Sequence, residues 1–389
     1  MVDFDNLEIA FRYKSNGELK FAYWLFRMVG KPWLVRFGKV MTNLCLKLHL
    51  PVNWLIKPTI YRHFCGGETI ADCMKVAENM KKYGVRCILD YSVEGGDSPE
   101  SIRAALEETL RTIENAGRNR NIPFTVFKAT AFTTEMVLEK GSLGKLETEE
   151  EKAEGQRFRE RIETLCKTAY ENDVPIMVDA EDVKFQAMID EVVTAMMEIY
   201  NKEKPIVYNT LQMYRTDRLD FLKESYQKAI GGNYYLGIKF VRGAYMERER
   251  ARAEKYGYPS PINADKPTTD RMYNDGLRFA VGHIDRMGLF NGTHNEESNH
   301  LLTELMEAHG LVKNDNRIWF SQLFGMSDPI SFNLAAAGYN VAKYLPYGPV
   351  KHVLPYLIRR AEENTAVAGQ SGREFEFAKR EFTRRKNKD

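Results

Sequence analysis

The segment Tyr344–Asn364, YLPYGPVKHVLPYLIRRAEEN, decides how the rest of the chain is read. An apolar strand, Val341–Leu345, leads through Pro346, Gly348 and Pro349 into a helix that begins by about Lys351. Pro355 is expected near the first turn, where a missing N–H costs least. Tyr356, Arg359, Arg360 and Glu363 then share one helix face, and Leu354, Leu357, Ile358 and Ala361 the opposite one. Two adjacent guanidiniums repel unless an anion lies between them, and their planar forks suit a carboxylate. Taken alone, the pair reads more readily as a solvated surface feature, so the remainder of the chain has to decide.

Upstream, Glu68–Tyr83 has helical apolar spacing and stops at Gly84. Strand-like runs follow at Arg86–Tyr91, Phe124–Ala129, Pro175–Asp179, Ile206–Leu211, Leu236–Val241, around Leu289–Thr293, at Ile318–Leu323 and at Val341–Leu345. Helical segments such as Pro99–Ala116, Ala153–Tyr170, Phe185–Asn201 and Asp217–Ala229 separate them. Eight strands alternating with helices predict an α/β fold, a (β/α)8 TIM-type barrel with an N-terminal helical arm. The sixth strand is the faintest, because Gly288 and Gly292 flank little apolar sequence. Expected divisions are an arm over 1–67, a barrel over 68–370 and a basic tail over 371–389.

Composition narrows the class. The chain has 389 residues, 43% apolar and 28% charged, as in a soluble globular protein. A net charge of +2 gives no general affinity for nucleic acid. The five cysteines form no CxxC pair and read as reduced thiols of an intracellular protein. The N-terminal sequence lacks the apolar core of a signal peptide. From Leu19 to Gly67 there is no Asp or Glu, but there are eight Lys or Arg, along with Trp24, Trp33 and Trp54. Such an arm suits either an interfacial membrane helix or a helix packed on the domain with a wet basic face. The terminal KREFTRRKNKD (379–389) is read as a disordered, solvated tail.

Barrel enzymes place their chemistry at the C-terminal strand ends. Those ends carry Glu94, Lys128, Asp179, Gln212, Lys239 with Arg242, Thr293 with His294 and Asn295, Gln322, and Tyr344. A polar group at all eight is more than closing turns require. No HxH, HExxH or cysteine cluster supplies three metal ligands, and no GxSxG elbow supports a serine triad. GxGxxG and GxxxxGK loops are absent too. Arg242-Gly243-Ala244 offers another way to hold a nucleotide, as a cation for a pyrophosphate beside two small residues that let the backbone approach.

The segments MVDAE (177–181), NTLQMY (209–214), KFVRGAYMERERARAEKYGYPSPIN (239–263), THNEES (293–298) and FSQLFGMSDPIS (320–331), with the opening stretch, resemble the proline dehydrogenases, above all the single-function type. They span most of Arg86–Val367 in order. The resemblance implies non-covalent FAD, hydride transfer from proline C5 to flavin N5, and Δ1-pyrroline-5-carboxylate as product. It implies a membrane quinone as acceptor, and a separate pyrroline-5-carboxylate dehydrogenase for the next step. Arg359, Arg360 and Lys128 would hold the substrate carboxylate. Tyr344, Tyr356, Phe240 and Ala244 would shape the ring pocket, and Glu94 would pair with Arg359 as a gate. Asp179 would lie beside the amine and flavin, and Lys239 beside flavin N5. Gln212, Arg242, Gly243, Ala244, Thr293, His294, Asn295, Gln322 and Glu363 would contact FAD, with Ala180 and Lys266 as weaker contacts. Bifunctional bacterial relatives carry Arg at the Lys239 position and Trp at Met246, so the geometry there is expected to differ. A hydroxyproline dehydrogenase is the alternative enzyme, disfavoured by Tyr344, whose ring would crowd a C4 hydroxyl. The non-enzymatic alternative is a membrane-associated scaffold barrel. The expected location is intracellular and cytoplasmic, with peripheral attachment to the inner membrane as an option and a mitochondrial setting left open.

Overall fold

All eight predicted strands form, and in the computed structural model they close into a parallel barrel in sequence order. They are β1 Val85–Tyr91, β2 Thr125–Lys128, β3 Ile176–Asp179, β4 Val207–Gln212, β5 Leu236–Val241, β6 Met287–Gly292, β7 Ile318–Leu323 and β8 Val341–Tyr347. The structure describes residues 2–31, 33–35, 37–38, 40–41, 56–92, 98–366 and 370–387. Trp54 and Glu94 lie outside them. Two compact units are distinguishable, one of residues 93–321 and 338–342, the other of 2–92, 322–337 and 343–389.

The first unit holds β2–β6 and the helices α4 Pro99–Arg118, α5 Glu135–Ser142, α6 Glu149–Glu171, α7 Val183–Tyr200, α8 Arg218–Gly231, α9 Met246–Tyr256, α10 Lys266–Gly282 and α11 Glu296–Ala308. Its faint strand has a packing explanation. Tyr208, Gly237 and Gly288 are register partners across β4, β5 and β6. A Cβ on Gly288 would lie 2.2 Å from the Tyr208 hydroxyl, and one on Gly237 would lie 2.9 Å from its ring. Glycine makes room for a tyrosine that also packs edge-on against Phe124, which in turn meets Phe290 and Trp319. β6 therefore looks weak in sequence because its neighbour supplies the bulk.

The second unit contains β1, the helices α1 Leu7–Phe11, α2 Asn16–Val29 and α3 Ile70–Lys81, and α12 Asp328–Ala336, α13 Val350–Ala366 and α14 Gln370–Lys386. The arm does pack: Ala22, Leu25, Phe26 and Val29 of α2 join Val353, Leu354, Tyr356 and Leu357 of α13 in one apolar cluster. Its outer side still exposes Trp24 and Met28, and beyond it Trp33, Phe37, Val40 and Met41 are exposed too.

Two local expectations change here. β8 continues through Pro346 to Tyr347, and Pro355 sits inside α13, not in its first turn. There it removes the N–H that would have bonded the Lys351 carbonyl. The expected disordered tail is helix α14, which buries Glu374, Phe377, Ala378 and Glu381 at i, i+3, i+4 and i+7. Phe377 and Ala378 pack on Leu7, Ala10, Phe11 and Leu19. Glu381 accepts hydrogen bonds from Arg384 and Arg385, and Arg385 also donates to the Phe11 and Lys14 carbonyls. Two glutamates on the buried stripe hide its amphipathic character from a composition-based reading.

Candidate active site

In the first unit, register places Lys128 of β2 beside Asp179 of β3 at their C-terminal ends. Lys239, from the middle of β5, points at the same carboxylate. Its Nζ lies 2.5 Å from Asp179 Oδ1, and Lys128 Nζ lies 3.6 Å from Oδ2. All three side chains are at most 14% exposed. Two ammoniums thus flank one carboxylate in a poorly solvated place, where charge interactions are strong.

Glu181, which sequence reasoning passed over, fixes this group from behind. Its carboxylate accepts from the Thr130 N–H and hydroxyl at 2.9 and 2.7 Å. Its carbonyl accepts from Gln212 Nε2 at 3.0 Å, and its own N–H donates to Gln186. The segments after β2 and β3 and the end of β4 are thereby tied together two residues from Lys128 and Asp179. The signal was present in MVDAE: a carboxylate two residues past a strand end, with no exposed role. Ala180, between them, is half-buried.

A second cluster forms around Arg242. Its Nε donates to Asp270 at 2.8 Å, Nη1 to Thr293 Oγ1 at 2.7 Å and Nη2 to Ser298 Oγ at 3.1 Å. The guanidinium also stacks over Tyr273. Lys266 Nζ lies 2.5 Å from the other Asp270 oxygen. Burial pushes the Asp270 carboxyl up, but bonds from Lys266 and Arg242 outweigh it and hold the group below its ordinary value. Gly243 has φ of 124°, and a Cβ there would lie 2.5 Å from the Tyr214 ring, so glycine is required on both counts. Asn295 serves as the cap of α11, accepting from Ser298 N at 2.8 Å. His294 is half-buried and Ala244 exposed, each beside this cluster in sequence.

Phe240 needs correcting. Strand alternation sends Lys239 toward Asp179 and its neighbour to the other face. The Phe240 ring packs against Gly276 and Tyr273 of α10, away from the Lys239 side where a substrate pocket was expected.

In the second unit, Tyr344, Tyr356 and Arg360 are each 7% exposed, and Arg359 is half-buried. The Arg360 guanidinium lies 5.3 Å from the centre of the Tyr356 ring one turn earlier. For Arg360 the structure therefore departs from a solvated surface pair. Gln322, at the end of β7, is buried and accepts from Ser331 Oγ at 2.6 Å. The Glu363 side chain and Glu94 lie outside the described residues.

The donor set suits a flavin dinucleotide. Gln212 is 2% exposed, and among the described residues its Oε1 has no hydrogen-bond partner, an acceptor that a ring N–H would satisfy. Arg242 and Lys266 supply cations and Gly243 a close backbone approach. Among the described residues no group of His, Cys, Asp and Glu could hold a metal ion.

A closed (β/α)8 barrel with ionisable groups gathered at its C-terminal strand ends has the layout of a barrel enzyme. The chain belongs to the proline dehydrogenase family, whose sequence model, "Proline dehydrogenase", matches residues 73–373. It is 33% identical to proline dehydrogenase 1, mitochondrial, of Dictyostelium discoideum, over 96% of this chain and 73% of that protein. It is 30% identical to the hydroxyproline dehydrogenase of Xenopus laevis, over 97% of this chain and 89% of that one. Among solved structures it superimposes on proline utilization A of Bdellovibrio bacteriovorus inactivated by N-propargylglycine, with a TM-score of 0.72 at 18% identity. That match covers 94% of this chain, which spans only 37% of the larger protein.

Proposed function

We propose that this chain oxidises L-proline to Δ1-pyrroline-5-carboxylate with bound FAD and delivers the electrons to a membrane quinone. The observation that carries the reading is the Lys128–Asp179–Lys239 group at the barrel strand ends of a proline dehydrogenase family member. When bound, FAD supplies the two-electron oxidant for the C5–N bond. Lys128, Arg359 and Arg360 hold the substrate carboxylate. Three cations on one carboxylate, away from water, turn binding energy into orientation of C5. Asp179 lies beside the amine, which must be neutral to become an imine. Lys239 would stabilise the negative charge that the bound cofactor gains on accepting the electrons. Tyr344 and Tyr356 pack against the ring. Gln212, Arg242, Gly243, Ala244, Lys266, Thr293, His294, Asn295, Gln322 and Glu363 hold the cofactor.

The test is the visible spectrum of the purified protein before and after anaerobic L-proline. Flavin bands that bleach support the reading. A colourless protein that cannot be reconstituted with FAD overturns it. The resemblance to a hydroxyproline dehydrogenase gives a second reading, favoured if only hydroxyproline bleaches the flavin; Tyr344 predicts the opposite preference.

The exposed Trp24, Met28, Trp33 and Phe37 on a basic arm support docking at an anionic membrane surface, where a quinone is found. Deleting Leu19–Arg62 should release the protein from anionic liposomes. Among the described residues no helix is long and apolar enough to cross a membrane. The product would pass on to an aldehyde-oxidising dehydrogenase activity.

A further inference from the structure

Helix α9 is an addition to the barrel plan. The helix that packs on both β5 and β6 is α10, so α9 is inserted between β5 and the helix that belongs to it. It starts three residues after Gly243 and does not run down the outside of the barrel. Glu249 accepts from the Val183 N–H in the segment after β3, at 2.8 Å. Arg248 pairs with Asp182 in that same segment. Further along, Arg252 Nη2 lies 2.7 Å from Glu139 on α5, which follows β2. The helix therefore leaves the end of β5, passes the end of β4 and reaches the segments that follow β3 and β2. It lies across this side of the barrel mouth.

Its attachment is almost wholly polar. Only Glu249 and Ala253 are buried, so a single methyl group is its apolar anchor. Arg250 adds a further tie, donating to the Asn263 and Ala264 carbonyls. The docking is also unsaturated. Among the described residues, Glu249 Oε2, the Tyr214 hydroxyl and Arg215 Nη1 are buried without hydrogen-bond partners. Such orphan atoms weaken the closed arrangement. Exchanging ion pairs for water costs little when no apolar core has to be broken.

We propose that α9 is a lid over the β3–β4 side of the barrel mouth, hinged beside Gly243 and latched by Glu249, and that it opens to admit and release the dinucleotide cofactor. The proposal rests on the flavin reading above. Glu249 is a positioning residue in this scheme: it acts through the Val183 segment, four residues from Asp179.

The test uses the full-length, flavin-loaded protein and two readouts independent of turnover. One is the rate of flavin release, followed by recovery of flavin fluorescence on dilution. The other is tryptic cleavage at Arg248, Arg250, Arg252 and Lys255. Glu249→Ala removes a charged hydrogen bond and should speed both by about tenfold. Glu249→Gln keeps an acceptor for Val183 and should recover most of that change. Raising the salt concentration should speed wild-type release, because the ties are ionic. Release and cleavage within twofold of wild type in Glu249→Ala overturn the lid. If that variant does not fold, Arg252→Gln, which loosens only the far end, is judged by the same two rates. A wild-type chain that takes up no flavin overturns the cofactor reading and the lid with it; flavin held but released at an unchanged rate overturns the lid alone.

Discussion

Replacing Lys343 by Met should destabilise the second unit by an amount its surroundings allow to be worked out. Lys343 lies on β8 next to Tyr344 and is fully buried. Its ammonium sits 2.9 Å from Asp328 Oδ1 and donates to the Met326 carbonyl at 2.5 Å. Asp328 is held as well by Lys14 and by the Tyr13 hydroxyl, both at 2.7 Å. Removing one partner of a buried pair costs about 3–5 kcal/mol, and the low end applies because two donors remain on Asp328. Loss of the donor to Met326 adds about 1 kcal/mol. A total near 4 kcal/mol lowers the melting midpoint by about 10 °C for a cooperative unit of this size. Burial pushes the Asp328 carboxyl up, but Lys14, Lys343 and Tyr13 more than reverse this and hold it well below its ordinary value. A carboxyl depressed in the folded state contributes stability above its unfolded pKa of about 4 and loses it as pH falls further. The gap between wild type and variant should therefore narrow in acid. The assay is thermal unfolding by circular dichroism from pH 3 to 8, with Asp328→Asn added to the variant. The double variant should be less unstable than the two single changes summed, because each change alone leaves one member of the Lys343–Asp328 pair without its partner, although Lys14 then loses its counter-charge too. An unchanged midpoint in Lys343→Met, or a double variant that is simply additive, would refute the reasoning.

Other expectations follow from single contacts. Arg359→Met and Arg360→Met should each weaken proline binding by about 2–5 kcal/mol, measured by flavin bleaching against proline concentration; unchanged affinity in both removes the carboxylate role. Gly288→Ala should cost about 1–3 kcal/mol by forcing Tyr208 to move, and a wild-type unfolding midpoint would show that the barrel floor yields freely. Truncation before Gly372 should lower the midpoint and expose Leu7 and Phe11 to a hydrophobic dye. A truncated protein identical to wild type would restore the solvated-tail reading for 371–389.

The barrel was legible because its signal is repeated: eight apolar runs tolerate one faint member, and β6 formed although Gly288 hid it. The side chains proposed for function in the first unit were legible for a related reason. Chemistry sits at strand ends, and strand ends can be counted. What escaped was support, not chemistry. Glu181, Asp270 and Ser298 act by holding other residues, and a holding contact joins positions far apart in sequence, as Glu181 does with Thr130. The same limit explains α14, whose buried glutamates make sense only once Arg384, Arg385 and Ser327 are seen to bond them. Phe240 failed differently. The family resemblance placed it in the pocket, while the two-residue period of β5, already readable, placed it opposite Lys239.

The unequal distances around Asp179 bear on how a substrate carboxylate is received. Lys239 holds one oxygen at 2.5 Å, within hydrogen-bond range, whereas Lys128 stands 3.6 Å from the other, near the limit of an ion pair. Coulomb attraction between buried charges falls with distance, so the longer pair is the less costly to give up. In the proposed complex an incoming carboxylate recruits Lys128, and Asp179 keeps Lys239 as its counter-charge. The two lysines then divide the work: one turns to the anion that arrives, the other stays where charge develops. Lys128→Met should accordingly act on proline affinity, and Lys239→Met on the rate of flavin reduction at saturating proline. Stopped-flow reduction in the two variants separates these effects, and a loss of rate with unchanged affinity in Lys128→Met would reverse the assignment.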